Sequence, residues 1–369
     1  MSRTVKQLEG GSLLLGELPL GCRFCSNGSK MVLFVTGLCD SSCYYCPLSI
    51  GKREKDLVFA DEMPVKSYGD ILFEAKAINA EGVGISGGDP LCVFDRTVSY
   101  IRQLKESFGE KFHIHLYTCH TDVEEIALEE LRSAGLDEIR FHPQTQNWSG
   151  IETALKLDLM TGIEIPVIPG KLDSTKKLLQ RAEALSVSFV NLNELEASET
   201  NFARLRKLGF QLTDLAYSSI LGSKEDAISL IQWGEKNLET LSLHFCSATF
   251  KDSVQMRNRL SRRIERTIRE FEEQDADEPL VILGVIRSTH GSTLSDENID
   301  HIVSVLHEYF EVPMNLMNRD YVRSRIEIAP WILEEISLDI RALFSIPLEI
   351  GIVYEYPTWD RLQVLFEPV

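Results

Sequence analysis

The apolar positions of this chain follow two alternating rhythms between Met31 and Cys246. Short runs rich in β-branched and aromatic residues alternate with longer stretches whose apolar residues recur at helical spacing. The short runs are 31–37 (MVLFVTG), 82–88 (GVGISGG), 112–118 (FHIHLYT), 138–144 (EIRFHPQ), 163–170 (IEIPVIPG), 188–195 (SFVNLNEL) and 240–246 (TLSLHFC). Between them, segments such as 65–81 and 122–136 read as amphipathic helices. Repeated strand–helix units imply a parallel sheet with helical crossovers. Six or seven such units in about 215 residues suit an α/β fold of the full or partial (β/α) barrel type better than an open sheet. In such barrels the site lies at the rim where the strands end, and Thr36, Ser86, Thr118, Gln144 and Asn193 fall there.

From about Pro279 the rhythm changes. Strands are expected at 281–287, 314–318, 325–329, 348–356 and 361–367, with helices at 295–310 and 330–344, the second opened by Pro330. This βαββαβ-like order predicts a small two-layer α+β domain of the ferredoxin-like kind. The expected division is an N-terminal segment (1–30), a barrel (31–250), an arginine-rich helix with an acidic linker (251–278) and the α+β domain (279–369).

Composition narrows the field of functions. The chain has 369 residues, 44% hydrophobic and 25% charged, with 38 Lys+Arg against 56 Asp+Glu and a net charge of −18. Disordered and fibrous classes are excluded, and so is a general polyanion binder; nucleic acid would need a local basic patch. No run reaches the ~18 apolar residues of a membrane span, and the N-terminus has no signal-peptide core, so a cytoplasmic protein is expected. Its eight cysteines are then poor candidates for disulfides. Five of them, Cys22, Cys25, Cys39, Cys43 and Cys46, cluster within 25 positions, which points to metal.

Cys39-x3-Cys43-x2-Cys46 directly follows the first barrel strand. Three thiolates on one short loop converge easily, and an iron–sulfur cluster with three protein ligands keeps one iron open. Zinc would need a fourth ligand from elsewhere. After the second strand comes Gly87-Gly88-Asp89-Pro90, where two glycines let the backbone approach a ligand closely.

On these residues, with Tyr45 as the aromatic before the third cysteine, the chain resembles the radical S-adenosylmethionine (AdoMet) superfamily over roughly 31–246. The resemblance implies a [4Fe–4S] cluster on Cys39, Cys43 and Cys46. AdoMet would bind its open iron and be cleaved on reduction to methionine and a 5′-deoxyadenosyl radical, which abstracts hydrogen from substrate. It also implies a reductant protein such as a ferredoxin or flavodoxin. Gly87, Gly88 and Asp89 would bind AdoMet, although many members carry Glu where Asp89 stands. Thr118, Gln144 and Asn193 would complete that pocket or merely cap their strands. Glu194 and Glu196 are candidates to face substrate, and Cys119, beside His120, to donate hydrogen; Cys92 reads as a buried structural thiol.

A second metal site is expected from Cys22-x2-Cys25 before the first strand and His244-x-Cys246 ending the last. Zinc or an auxiliary cluster would suit this set. Together with the string 244–263, this N-terminal motif resembles an archaeal group related to pyruvate formate-lyase activating enzymes. Arg259, Arg262, Arg263, Arg266 and Arg269 fall on one face of a helix and offer an anion site for RNA, or a surface paired with carboxylates. An RNA-modifying role leads a peptide-modifying or activase role, and the rival of another class is a non-catalytic, zinc-stabilised binding module.

Overall fold

The computed structural model describes residues 3–214, 218–289, 292–344 and 346–369, so the first two residues of the N-terminal segment lie outside it. The chain divides into two compact units, Met1–Arg259 and Leu260–Val369.

In the first unit β1 (Val5–Gln7), β2 (Leu13–Leu15) and α1 (Leu20–Ser26) precede β3 (Lys30–Phe34). Then come β4 (Phe59–Ala60), β5 (Met63–Pro64), α2 (Tyr68–Ala77), β6 (Gly82–Ser86), α3 (Phe94–Phe108), β7 (His113–Thr118), α4 (Glu125–Ala134) and β8 (Glu138–Phe141). The unit continues with α5 (Ser149–Lys156), β9 (Met160–Val167), α6 (Leu172–Ala184), β10 (Phe189–Glu194), α7 (Phe202–Lys207), α8 (Ser223–Asn237) and β11 (Ser242–Cys246). The sheet order is β1-β2-β11-β10-β9-β8-β7-β6-β3-β4-β5. Strands β3 and β6 to β11 are parallel and lie in chain order. Winding in one direction puts the crossover helices on one face, and the sheet curls. Lys30 of β3 and Cys246 of β11 line the same cavity, which fixes how far it curls. β3 and β11 do not pair with each other; β4 covers one edge and β2 the other. The result is the expected partial barrel.

Strand alternation sets its two faces. Val83, Ile85, Ile114, Leu116, Ile139, Phe141, Val190, Leu192, Leu243 and Phe245 belong to the apolar core. The intervening positions are polar: His113, His115, Tyr117, Glu138, Arg140, Glu164, Asn191, Asn193, His244 and Cys246. The N-terminal segment is part of this architecture. α1 packs on β3, β6 and β7, and a Cβ on Gly21 would meet His115 Nδ1 at 2.7 Å and Arg140 Nη2 at 2.8 Å.

After β11 come α9 (Ala248–Phe250), a π-helical turn (Lys251–Met256) and α10 (Arg257–Thr267). The expected acidic linker is structured: β12 (Glu273–Gln274) pairs with β13 (Val281–Ser288). The second unit continues with α11 (Asp296–Glu308), β14 (Met317–Asp320), β15 (Arg325–Ile328), α12 (Pro330–Leu343), β16 (Leu348–Glu355) and β17 (Gln363–Pro368). Its antiparallel order β14-β15-β13-β16 is that of a ferredoxin-like βαββαβ, with β17 added at the edge. Among the described residues no helix is long and apolar enough to cross a membrane.

The arginine face proposed for RNA is not a free cationic surface. Arg259 pairs with Asp61 at 2.6 Å and with Glu62. Arg263 is buried and its Nε donates to Pro357 O. Arg269 pairs with Glu272 and Glu327, both at 2.5 Å. Helical periodicity could place these arginines on one face, but not reveal carboxylates brought there by tertiary folding.

Asp61 is buried, accepts from Val32 N at 2.9 Å, and thereby ties Arg259 to β3. Removing one partner of a buried pair leaves an uncompensated charge, so Arg259→Ala should cost about 3–5 kcal/mol. Hydrogen exchange should accelerate across β3 and β4. Unchanged exchange there would show that the pair is incidental.

Candidate active site

The cysteine loop leaves β3 through Thr36 and is held from three sides. Arg96 bonds Asp56 at 2.6 and 2.9 Å and Val35 O at 2.9 Å, while Thr36 Oγ1 donates to Asp56 at 2.9 Å. From beyond β10, Asn201 Nδ2 donates to Tyr45 O at 2.9 Å and Thr200 Oγ1 to Leu48 O at 2.7 Å. From the end of β6, Gly88 N donates to Thr36 O and Asp89 N to Leu38 O, both at 2.7 Å. The two backbones run so close that a Cβ on Gly87 would lie 2.5 Å from Thr36 O, and one on Gly88 2.1 Å from Leu38 O. The glycines therefore serve the approach of the turn to the cysteine loop itself.

Cys39 is exposed, Cys43 and Cys46 are half-buried, and none forms a disulfide. The neighbouring Cys119, aided by the Ser41 N–H, outweighs burial and holds the Cys39 thiol down to about 7. Burial pushes the Cys43 thiol up. Among the described residues these three sulfurs do not come within the 4.8 Å mutual spacing of single-ion ligand groups. Such wide spacing suits a cluster in which each thiolate binds a different iron.

Several expected roles change. Asp89 is buried, and its carboxylate accepts from Leu91 N, Thr118 Oγ1, Cys119 N and Cys119 Sγ at 2.7–3.1 Å. Its side chain joins the ends of β6 and β7 and has no open face for the AdoMet amino group. Thr118 is committed to the same junction. Cys119, rather than standing free as a hydrogen donor, also accepts from Ser41 Oγ at 3.0 Å. Glu194 is buried and accepts from Ala248 N at 2.8 Å, and Glu196 pairs with Lys251, so neither is a free substrate carboxylate. Cys92, half-buried as burial drives its thiol up to about 11, groups with Asp40 and His120. His120 also groups with Asp89 and Cys119.

A polar relay missed by the sequence reading underlies the rim. Tyr45 Oη lies 2.8 Å from His142 Nε2 and accepts from Gln144 Nε2 at 2.9 Å. His142 Nδ1 lies 2.7 Å from Glu164 O. Glu164 accepts from Arg140, Asn191 and Asn193, each at 3.0 Å. Burial alone would raise the Glu164 carboxyl; Arg140, Asn193 and Asn191 outweigh it and hold it below the usual range. The signal was present as period-two polar positions within strands: Arg140 and His142, Glu164, Asn191 and Asn193.

The cavity behind this relay is about 90 Å³ and brings together Cys22, Cys25, His244 and Cys246 with Lys30, Arg140 and Lys251. No three of the four expected ligand atoms come within 4.8 Å of one another, so the single-ion geometry expected of zinc is not formed there.

A family model described as "Radical SAM superfamily" matches residues 33–147. A Methanocaldococcus jannaschii protein, provisionally named a glycyl-radical enzyme activating enzyme, is 35% identical over 361 residues, 94% of this chain and 92% of that one. The chain belongs to the radical AdoMet superfamily. A second model, a domain of unknown function (DUF8061), matches residues 280–369 of this radical AdoMet protein. Among solved structures, Streptococcus suis SuiB bound to S-adenosylmethionine matches with TM-score 0.42 and 14% identity, over 60% of this chain and 51% of that one. Methylornithine synthase matches with TM-score 0.41 and 14% identity, over 57% and 65%. The chain thus spans about half of SuiB and just under two thirds of the synthase.

The residues present fit the family's cluster: three unpaired thiols on one loop, spaced wider than the ligands of one ion. Gly88→Val tests the cradle. Its branched side chain would strike Leu38 O and displace the residue next to Cys39. The variant should keep its far-UV circular dichroism but lose both bound iron and AdoMet affinity. A variant with full iron and wild-type AdoMet affinity would refute the close-approach role.

Proposed function

We propose that this chain is a radical AdoMet enzyme of the activating type, which holds a [4Fe–4S] cluster on Cys39, Cys43 and Cys46 and takes a hydrogen atom from a polypeptide partner at a glycine. With the cluster bound, one electron and AdoMet yield methionine and a 5′-deoxyadenosyl radical, and hydrogen abstraction leaves 5′-deoxyadenosine and a substrate radical. The observation that carries the reading is three free thiols on one loop at the barrel rim, buttressed by the Gly87-Gly88 turn.

The chain's own residues hold the geometry. Asp89 and Thr118 lock the ends of β6 and β7 against each other, leaving backbone rather than the Asp89 carboxylate toward AdoMet. Tyr45, His142, Gln144 and Asn193 present polar groups at the later strand ends, with Gln144 and Asn193 placed for AdoMet's polar edges. Exposed Cys39 lies beside partly exposed Leu38, with exposed Ile50 and Leu57 further along the same loop. This face suits electron delivery from a ferredoxin or flavodoxin.

The polypeptide substrate is favoured by the provisional name of the relative, which matches nearly the whole chain. RNA is disfavoured because Arg259, Arg263 and Arg269 are engaged within the fold. A zinc-stabilised module is disfavoured by the spacing of both cysteine sets.

Anaerobic protein reduced with dithionite should convert AdoMet to 5′-deoxyadenosine, measured by chromatography. Cys43→Ala should reduce the yield to background, because losing one thiolate removes an iron ligand. Undiminished yield in a folded Cys43→Ala variant would overturn the assignment.

A further inference from the structure

The interior of the first unit carries a second set of thiols that the reaction above does not use. Cys22 and Cys25 come from α1, and His244 and Cys246 from β11; all four line one cavity. Cys22 and Cys25 are buried, at 7% and 9% exposure. The cavity's volume of about 90 Å³ is several times the ~10–15 Å³ that one water requires by this measure.

Two features mark it as a ligand site rather than a packing gap. Lys30 lines the cavity and is 8% exposed. Among the described residues no carboxylate forms an ion pair with it, and Cys22, Cys25 and Tyr117 line the same cavity. Arg140, 2% exposed, also lines the cavity and has an Nη2 without a hydrogen-bond partner. Arg140 is already paired with Glu138 and with Glu164, which also lines the cavity, so Lys30 is the lining cation left without an ion-paired carboxylate, and thiolates bound to a metal would supply it with negative charge. The second feature is Asn191. Its Nδ2 donates to Cys22 Sγ at 3.4 Å, while its Oδ1 lies 3.3 Å from His244 Nδ1. With Nδ1–H donated to that oxygen, His244 Nε2 keeps its lone pair. A side-chain carbonyl on a histidine's remote nitrogen and an amide N–H on a sulfur are the outer contacts that orient and tune metal ligands.

We propose that Cys22, Cys25 and Cys246, with His244 as fourth donor, hold a second iron–sulfur cluster of the [4Fe–4S] type inside the barrel. Among the described residues no three of these donor atoms fall within 4.8 Å of one another, which suits several irons better than a single ion. Lys30 and Arg140 offset the negative charge of the thiolate-ligated cluster. Asn193, at the rim, lines the same cavity and bonds Glu164, so the second site shares a polar wall with the first.

The test uses the full chain with Cys39, Cys43 and Cys46 all changed to Ala, reconstituted anaerobically with ferrous iron and sulfide. About four iron and four sulfide per chain should remain, against about eight of each in the wild type. Dithionite reduction should give an electron paramagnetic resonance signal that disappears when Cys25→Ser is added. In the same background Asn191→Ala should keep the iron but move the reduction potential, a change that a purely structural Asn191 would not produce. Circular dichroism checks that each variant is folded. Zinc at one equivalent in place of iron, or no metal in the folded triple variant, would overturn the proposal. AdoMet cleavage by the wild type reports on the first cluster alone, so the two readings can fail separately.

Discussion

A parallel sheet that curls on itself must fill its concave face, and this one fills it with charge. Arg140 is almost fully buried between Glu138, at 2.5 Å, and Glu164, at 3.0 Å. Isolated, that guanidinium would be costly to bury; paired, it ties β8 to β9. Asn191 and Asn193 of β10 reach the same Glu164, and His142 reaches its carbonyl oxygen. The interior thus becomes a fixed polar scaffold, and Tyr45 of the cysteine loop rests on it through His142. What looks at the rim like a flexible loop is seated on a charged lattice below.

On the β6 side the loop is fixed by backbone contacts, which explains the two glycines. Gly88 N–H and Asp89 N–H are spent on Thr36 and Leu38 carbonyls, and side chains at Gly87 or Gly88 would collide with the oxygens they approach. Asp89, buried and saturated by Thr118, Cys119 and Leu91, acts as a clasp between neighbouring strand ends. Its short side chain matches that reach, and its carboxylate is buried.

Much of this was legible in the sequence. The seven strand runs and their order could be read because parallel strands have local signatures: β6 was expected at 82–88 and occupies Gly82–Ser86. The ferredoxin-like order was legible for the same reason. Tertiary pairing was not. Nothing local in 257–269 announces that Arg259 meets Asp61 or that Arg269 meets Glu327, so a paired set looked like a free basic face. Asp89 likewise looked available, because its partners Thr118 and Cys119 arrive from another strand. The acidic linker expected within 251–278 contains two residues that pair as β12. Glu164 and His142 were missed although Glu138, Arg140 and His142 recur at period two and Glu164 is the lone charged residue of an apolar run.

The most direct test of the account is iron-edge anomalous diffraction from crystals grown anaerobically with AdoMet. The account predicts an iron peak bounded by the sulfurs of Cys39, Cys43 and Cys46, with the methionine part of AdoMet against the Gly87-Gly88 backbone and the Asp89 carboxylate still turned to Thr118. Iron absent from that loop in AdoMet-loaded crystals, or AdoMet bound away from it, would contradict the account.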